Sequence, residues 1–259
     1  MPFTISHVAA VLPLHRPLTR ARVFTAAVIG SMVPDFGLMV PGFLARVETH
    51  SIPSLITFCL PIGLLAYWLT MLLVRPAVIE VAPNGAYARL REHAPASIRQ
   101  PAAWLGAAAA LMLGAITHLV WDAFTHENAR GVRMFPILTD YGPEMAGHSA
   151  RLYRWLQYGS SIGGLAIVVW ALVLWLHHAP PPSERPSRPL APTERSLWLC
   201  AYLVLPVAAV LWSIAHPPPG TGSALSNGIA LGWVAVAGMR GAIISALLIS
   251  ALIRLRVVA

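Results

Sequence analysis

The sequence contains no lysine and has little charge of either sign. Only 11% of its 259 residues are charged, and all 18 basic residues are arginine. Soluble domains carry about 25% charged residues, so this composition excludes an ordinary soluble globular domain. With 57% hydrophobic residues and a mean hydropathy of +0.66, the chain is expected to be a membrane protein.

Cysteine is also scarce. Cys59 and Cys200 both fall inside apolar runs, so a disulfide is not expected.

The N-terminus lacks a charged region followed by a long apolar core, and we therefore expect no cleavable signal peptide. The net charge of +8 does not indicate nucleic-acid binding, because the arginines are spread over loops and helix ends rather than gathered in one patch.

Long apolar runs are what the sequence has in abundance. Five of them meet the length of about 17–25 residues that a membrane-spanning helix requires: 52–74, 102–121, 157–176, 197–215 and 228–253. A shorter run, 22–33, ends at Pro34-Asp35 and is interpreted as a half-helix, although a kinked full span to Leu44 is an alternative. The fold class expected is an all-α polytopic bundle of about five spans plus an N-terminal half-helix.

A Pro-rich segment divides the chain. This segment, 177–196, is typical of an extended linker, and it separates a helical core over 1–176 from a C-terminal helix pair over 197–259.

The arginines are distributed unevenly between the two sides of the membrane. The loops on one side of the five spans carry nine arginines and those on the other side four. The positive-inside rule then places 75–101 in the cytoplasm. The alternative is that the N-terminal arginines lie outside and nearly cancel this bias: Arg16, Arg20, Arg22 and Arg46. The absence of lysine beside abundant alanine and arginine is typical of a GC-rich bacterial genome, so we expect a bacterial inner-membrane protein.

Ionisable residues interrupt the second apolar run. His118, Asp122 and His126 are spaced four residues apart, so on a continuous helix they share one face. Burying such groups in an apolar helix is costly unless something compensates their charge and polarity. A bound cation would do so, since imidazole and carboxylate groups are good ligands for zinc and its neighbours.

A matching set of polar residues occurs upstream: His7, Asp35 and His50. His50 begins one span and His118 lies near the end of the next, so an antiparallel helix pair brings them to the same membrane face. We expect these residues to hold one or two divalent cations, with zinc favoured and manganese or iron allowed. The alternative is a structural polar seam of hydrogen bonds, and His126 alternatively caps its helix.

Other polar residues have competing interpretations. Glu48 is either a ligand or general base, or a solvated loop charge. Arg130 either orients an anionic head group or serves only as a topology charge. Gln157, Ser160 and Ser161 either line the site as hydrogen-bond donors or, as we favour, pack helices through small-residue contacts with Gly159 and Gly163.

Several motifs resemble those of known families. The order Ser6-His7, Pro34-Asp35, Thr49-His50-Ser51 and Thr117-His118 through Asp122 resembles bacterial YdjM-like membrane-bound metal-dependent hydrolases. The opening Met-Pro-Phe-Thr-x-Ser-His7 and the Tyr153-to-Ser161 motif resemble the family called domain of unknown function 4184, over about residues 1–176. A more distant resemblance is to zinc-dependent phospholipase C.

This resemblance implies metal-dependent phosphoester hydrolysis, with the six His and Asp residues as ligands. Two potential ligands of the YdjM-like pattern are missing, because Gly37 replaces an aspartate and Ala45 replaces a histidine. The function expected is hydrolysis of a lipid or lipid-linked substrate at the outer membrane face, with membrane lipids as partners. The alternative is a non-enzymatic protein that handles metal ions, binds lipid or acts as a scaffold.

Overall fold

The structure, a computed structural model, describes residues 3–39, 46–92, 100–144, 149–178, 190–217 and 228–258. Within these ranges the chain is helical and forms no strand beyond one isolated bridge between Tyr141 and Arg151. The α-helices are α1 (His15–Arg20), α2 (Phe24–Gly30), α3 (Arg46–Thr49), α4 (Leu60–Leu69), α5 (Arg75–Val81), α6 (Asn84–Glu92), α7 (Pro101–Thr125), α8 (Arg130–Met134), α9 (Leu152–His177), α10 (Pro192–Ala215) and α11 (Gly228–Val258). The fold class predicted from the sequence is confirmed.

Short helices of other kinds complete the secondary structure. Four are 3-10 helices: Thr4–Ala10, Leu12–Leu14, Val33–Met39 and Pro136–Thr139. Two are π-helical turns, Leu55–Cys59 and Thr70–Val74, which flank α4 and continue into α5. Such turns are rare and occur mostly as single insertions within α-helices.

Five helical segments are long and apolar enough to cross a membrane: Leu55–Val81, Pro101–Thr125, Leu152–His177, Pro192–Ala215 and Gly232–Arg256. They correspond to the five apolar runs of the sequence, and the protein is a multi-pass membrane protein. Helices α7 and α10 both begin at proline, which lacks a backbone N–H and is tolerated in the first turn. The predicted half-helix is the short α2, followed by the 3-10 helix Val33–Met39.

The described residues fall into two compact units. One comprises residues 1–65 and 95–175, and the other comprises 66–94 and 176–259. The division of the sequence into 1–176, 177–196 and 197–259 stays a prediction, and residues 179–189 of the predicted linker lie outside the described residues.

Two glycines bring α2 and α7 into close contact within the first unit. A Cβ atom on Gly30 would lie 2.2 Å from the carbonyl oxygen of Leu111, and one on Gly114 would lie 2.2 Å from that of Ala27. Only glycine permits two backbones to approach this closely, as in small-residue contacts between membrane helices. This contact sets α2 and the segment after it against the part of α7 that carries the polar residues.

A proline shapes the helix pair of the second unit. Pro206 lies inside α10 and cannot donate a hydrogen bond to the carbonyl of Tyr202. The hydroxyl of Ser245, on α11, donates to that carbonyl at 2.9 Å. Gly241 lies close by, where a Cβ atom would come within 2.7 Å of the Pro206 Cα atom. The two helices therefore satisfy within their interface the backbone group that the proline leaves open.

Candidate metal centre

Five polar side chains converge in the first unit. His7 lies on the 3-10 helix Thr4–Ala10, Asp35 on the 3-10 helix Val33–Met39, His50 just after α3, and His118 and Asp122 one turn apart on α7. Four segments that are far apart in the sequence thus contribute to one cluster. We call these five residues the His/Asp cluster.

Short distances link the members of the His/Asp cluster. The Nε2 atom of His50 lies 3.2 Å from Asp35 Oδ1 and 3.4 Å from Asp122 Oδ2. The Nε2 atom of His118 lies 3.7 Å from Asp35 Oδ1 and 3.5 Å from Asp122 Oδ2, and His7 Nε2 lies 3.5 Å from Asp122 Oδ1. The donor atoms of His7, Asp35 and His118, and those of His50, His118 and Asp122, form two groups able to hold a metal ion.

These distances match the spacing expected among ligands of one small cation. Zinc binds imidazole nitrogen and carboxylate oxygen at about 2.0–2.2 Å, so tetrahedral ligands lie about 3.3–3.6 Å apart. Most of the observed separations fall within or close to this range. Direct N–H···O hydrogen bonds are shorter, at about 2.7–3.2 Å. Apart from the contact of 3.2 Å between His50 and Asp35, which is also within hydrogen-bonding distance, the cluster is therefore spaced more like a coordination shell than like a network of direct hydrogen bonds.

The cluster is shielded from solvent. His7, Asp35, His118 and Asp122 each expose 5% of their surface or less. The Nε2 atoms of His7 and His118 are buried and make no hydrogen bond. A buried polar nitrogen without a hydrogen bond is costly. A cation at this place would compensate both nitrogens together, and the residues present fit a divalent metal ion.

Neighbouring groups orient three side chains of the His/Asp cluster. His118 Nδ1 lies 2.7 Å from the carbonyl oxygen of Ser31, which can only accept a hydrogen bond, so Nδ1 carries a proton, and in the neutral imidazole Nε2 presents a lone pair to the cluster. The hydroxyl of Thr4 donates to Asp35 Oδ2 at 2.6 Å, and Thr49 Oγ1 lies 2.9 Å from His50 Nδ1. Such outer contacts commonly fix the tautomer and direction of metal-ligating side chains.

Burial and neighbouring charges set the protonation states. Burial, with a contribution from the nearby His118, lowers the pKa of His7 to about 3, so this imidazole is neutral at physiological pH. Burial alone would raise the pKa of Asp35, but the imidazoles of His50 and His118 lower it below its ordinary value. A neutral histidine and an ionised carboxylate are the forms that bind metal.

His126 lies at the edge of the cluster. Helix α7 ends at Thr125, and His126 has an extended backbone, so the expected spacing along one helical face does not reach it. Its Nδ1 atom lies 3.2 Å from the backbone carbonyl of Asp122 and 3.6 Å from Asp122 Oδ1. The nearer contact satisfies an open carbonyl of the last helical turn, which is a capping role. Its role as a ligand stays a prediction.

The two residues predicted to be catalytic lie in a different environment. Glu48, on α3, and Arg130, at the start of α8, are both exposed, whereas the His/Asp cluster is buried. Their catalytic roles stay predictions. At Gly37, where YdjM-like proteins have an aspartate, a Cβ atom would lie 2.5 Å from the methyl group of Thr49. Thr49 therefore fills the space that a side chain at this position would need.

An apolar groove of about 720 Å³ lies beside the cluster. His7 and Ser6 line it from the N-terminal segment, and the remaining walls come mainly from α7 and α9. Those walls include Val120, Trp121, Phe124, Leu156, Gly163 and Ile167. Because His7 belongs to both the groove and the cluster, the two features are continuous.

Serine contacts fix the N-terminal segment to α9. Ser161 Oγ accepts a hydrogen bond from Phe3 N at 3.1 Å, and Ser6 Oγ donates to the Ser161 carbonyl at 2.7 Å. Gly164 lies against Ser6, where a Cβ atom would approach the Ser6 Cβ to 2.8 Å. The expectation that Gly159 and Gly163 pack helices is wrong, because in the described part of the chain no atom beyond the glycine's own helical turns lies within 4 Å of a Cβ at either one. The packing glycine is the next residue, Gly164, and the sequence pattern gave no means to choose it.

Comparison with known proteins supplies the family. A family model described as a domain of unknown function, DUF4184, matches residues 1–251. The chain belongs to the DUF4184 family. The match extends past the 1–176 region in which the motifs were recognised and includes α10 and most of α11. No curated protein and no solved structure matches the chain.

Proposed function

We propose that this protein is a membrane-embedded metal-dependent hydrolase that cleaves a phosphoester of a lipid or lipid-linked substrate. The observation that carries the proposal is the convergence of three imidazoles and two carboxylates from four separate segments into one buried cluster. A structural seam needs only pairs of groups within hydrogen-bonding distance. Two overlapping groups of three donor atoms, each with its atoms within 4.8 Å of one another, favour a metal ion.

The charges of the cluster favour a divalent cation. Asp35 and Asp122 are both buried, and two adjacent carboxylates repel each other in a medium of low dielectric constant. His7, whose pKa is about 3, contributes no positive charge at neutral pH. A divalent ion would balance both carboxylates. Three imidazole ligands favour zinc, and the carboxylates also allow manganese or iron.

The chemistry proposed is addition of water to phosphorus. The water oxygen forms a bond to phosphorus, the bond from phosphorus to the leaving oxygen breaks, and the water proton is transferred to that leaving oxygen. A bound divalent cation supplies an activated water at neutral pH and polarises the phosphoryl oxygen. His7, His50, His118, Asp35 and Asp122 would hold the ion, while Ser31, Thr4 and Thr49 orient three of these side chains.

The arginine distribution supports a location and an orientation. Nine arginines lie in the loops on one side of the five spans and four in those on the other. By the positive-inside rule the richer side is cytoplasmic. We therefore assign the protein to a bacterial inner membrane, with the His/Asp cluster on the extracytoplasmic side.

Metal content measured on purified protein tests the proposal. We expect near-stoichiometric divalent metal in wild type by inductively coupled plasma mass spectrometry. His118→Ala and Asp35→Asn should lose it at least tenfold. The matched control is His216→Ala, since His216 is exposed at the end of α10 and contacts only the Trp212 backbone and ring among its described contacts.

Hydrolysis is then measured with a chromogenic phosphodiester and with a phosphatidic acid in detergent micelles. Wild type should turn over at least one of them, chelator should abolish this activity, and added zinc should restore it. Metal below stoichiometry in wild type that is unchanged in His118→Ala would exclude a metal centre. Bound metal without hydrolysis of either substrate would favour a role in metal handling.

A further inference from the structure

We propose that the apolar groove beside His7 binds the hydrocarbon chain of a membrane phospholipid, whose phosphate group is thereby presented to the His/Asp cluster. This lipid would be the substrate of the hydrolase, so the inference rests on the function proposed above.

The position of the groove favours a lipid chain. Its walls belong largely to α7 and α9, which are both long and apolar enough to span a membrane. Val120, Trp121 and Ile167 line it, and each is about half exposed. The surroundings of such helices are hydrocarbon over about 30 Å. An opening between them is therefore accessible to acyl chains from the bilayer.

The size and lining of the groove also fit a chain. Its volume of about 720 Å³ lies within the range of about 300–1,000 Å³ that is usual for small-molecule sites. The groove follows α9 from Trp155 to Ile167, which at 1.5 Å per residue is a length of about 18 Å. Among its lining residues only His7 is ionisable. An elongated apolar ligand with its polar end at His7 satisfies this arrangement.

Two glycines leave the groove open. Gly159 and Gly163 are one turn apart on α9, and both line the groove; no atom of the described residues beyond their own helical turns lies within 4 Å of a Cβ built on either. Glycine inside a helix is less favourable than alanine. Close helix packing does not explain these two residues, since the space beside each is open. Space for a ligand does explain them.

Continuity with the cluster links the groove to the chemistry. His7 lines the groove, is 4% exposed, and has a buried Nε2 atom 3.5 Å from Asp122 Oδ1. Val120, Trp121 and Phe124 line the groove from the same turns of α7 that carry His118 and Asp122. A lipid chain held there places the polar end of the molecule next to the metal ligands.

Photo-crosslinking of the full-length protein tests this inference. The probe is a phosphatidic acid with a diazirine in one acyl chain, added in increasing amounts to purified protein in detergent micelles. We expect saturable labelling at about one lipid per chain, with the label in residues 155–167 and 120–125. Gly163→Leu should reduce this labelling at least tenfold because the new side chain fills the groove. Gly159→Leu provides a second, independent test.

The matched control is Gly232→Leu. Among the described residues, Gly232 is also a helical glycine with no neighbouring atom within 4 Å of its Cβ position, but it lies on α11, which contributes no lining residue to the groove. It should leave the labelling unchanged. Metal content and a single symmetrical gel-filtration peak in the Gly163→Leu variant would show that its fold is retained.

Two results would overturn the inference. One is labelling that does not saturate, spreads equally over α10 and α11, or is unaffected by both groove variants, which indicates bulk lipid contact. The other is a wild-type dimer on gel filtration that Gly163→Leu converts to a monomer, which would mean that a second copy occupies the groove. Saturable labelling in a protein that lacks bound metal would support the lipid site and refute the hydrolase, so the two proposals fail separately.

Discussion

Replacing Gly114 with alanine should disrupt the His/Asp cluster, although Gly114 is not one of its members. The new Cβ atom would lie 2.2 Å from the Ala27 carbonyl oxygen and 2.6 Å from the Ser31 nitrogen. Both are backbone atoms of α2 or its C-cap, so no side-chain rotation relieves the contact. The two helices must separate by about 1 Å or more to reach an ordinary van der Waals distance.

That displacement acts directly on the cluster. His118 Nδ1 contacts the Ser31 carbonyl at 2.7 Å, and a shift of about 1 Å exceeds what a hydrogen bond tolerates. Asp35 follows α2 by a few residues and would move with it. Overpacking of this kind costs about 1–3 kcal/mol, and loss of an outer-shell contact typically lowers metal affinity about 10–100-fold.

The assay compares metal affinity and thermal unfolding of Gly114→Ala with those of Gly106→Ala. Gly106 lies on the same helix, but its Cβ would contact only the Val23 side chain, at 3.3 Å, and that side chain can move. We expect Gly106→Ala to resemble wild type in both measurements. Unchanged metal affinity in Gly114→Ala would refute the inference that the glycine contact positions the cluster.

Further predictions concern the serine contacts of Ser161 and Ser245, the helix cap at His126 and the removal of metal. Ser161→Ala removes the acceptor of the Phe3 N–H and should speed hydrogen exchange in residues 3–10, whereas Ser160→Ala should not. Ser245→Ala leaves the Tyr202 carbonyl without its side-chain donor and should lower the free energy of unfolding by about 1 kcal/mol. Adding Pro206→Ala restores a backbone donor and should recover part of this loss. An equal loss in the double variant would contradict this explanation. His126→Ala should lower thermal stability slightly through loss of the helix cap and change metal content less than His118→Ala does; an equal loss of metal would make it a ligand. Chelator should lower the melting temperature of wild type, since a ligand at 100 times its dissociation constant stabilises a protein by about 2.7 kcal/mol, but should have no effect on His118→Ala.

The sequence predicted the spans and the shared helix face of His118 and Asp122, but not the position of His126. Apolar run length alone located the five spans, because a helix must be long enough to cross the hydrocarbon core. The four-residue spacing of His118 and Asp122 was sufficient to place both on one face of α7. The same rule failed for His126, since it assumes a continuous helix and α7 ends one residue earlier.

Other features depend on contacts between distant segments. The approach of α2 to α7 rests on Gly30 and Gly114, which look no different in the sequence from Gly159 and Gly163. Two of these glycines permit backbone contact and two leave a groove open. The local sequence pattern does not distinguish a glycine that permits backbone contact from one that leaves a groove open. The distinction depends on which atoms of another segment lie opposite the glycine.

Two members of the His/Asp cluster lie on short helices, and this affects how the cluster forms. His7 and Asp35 lie on short 3-10 helices, whose hydrogen bonds are weaker than those of α-helices and which rarely persist alone. Their positions therefore depend on contacts with longer elements, such as Ser6 with Ser161 on α9 and Ser31 with His118 on α7. A cation bound at the cluster would join these short segments to α7 through its own ligands. Metal binding and the ordering of residues 3–39 are then expected to be coupled, because each reduces the entropy that the other would otherwise have to offset.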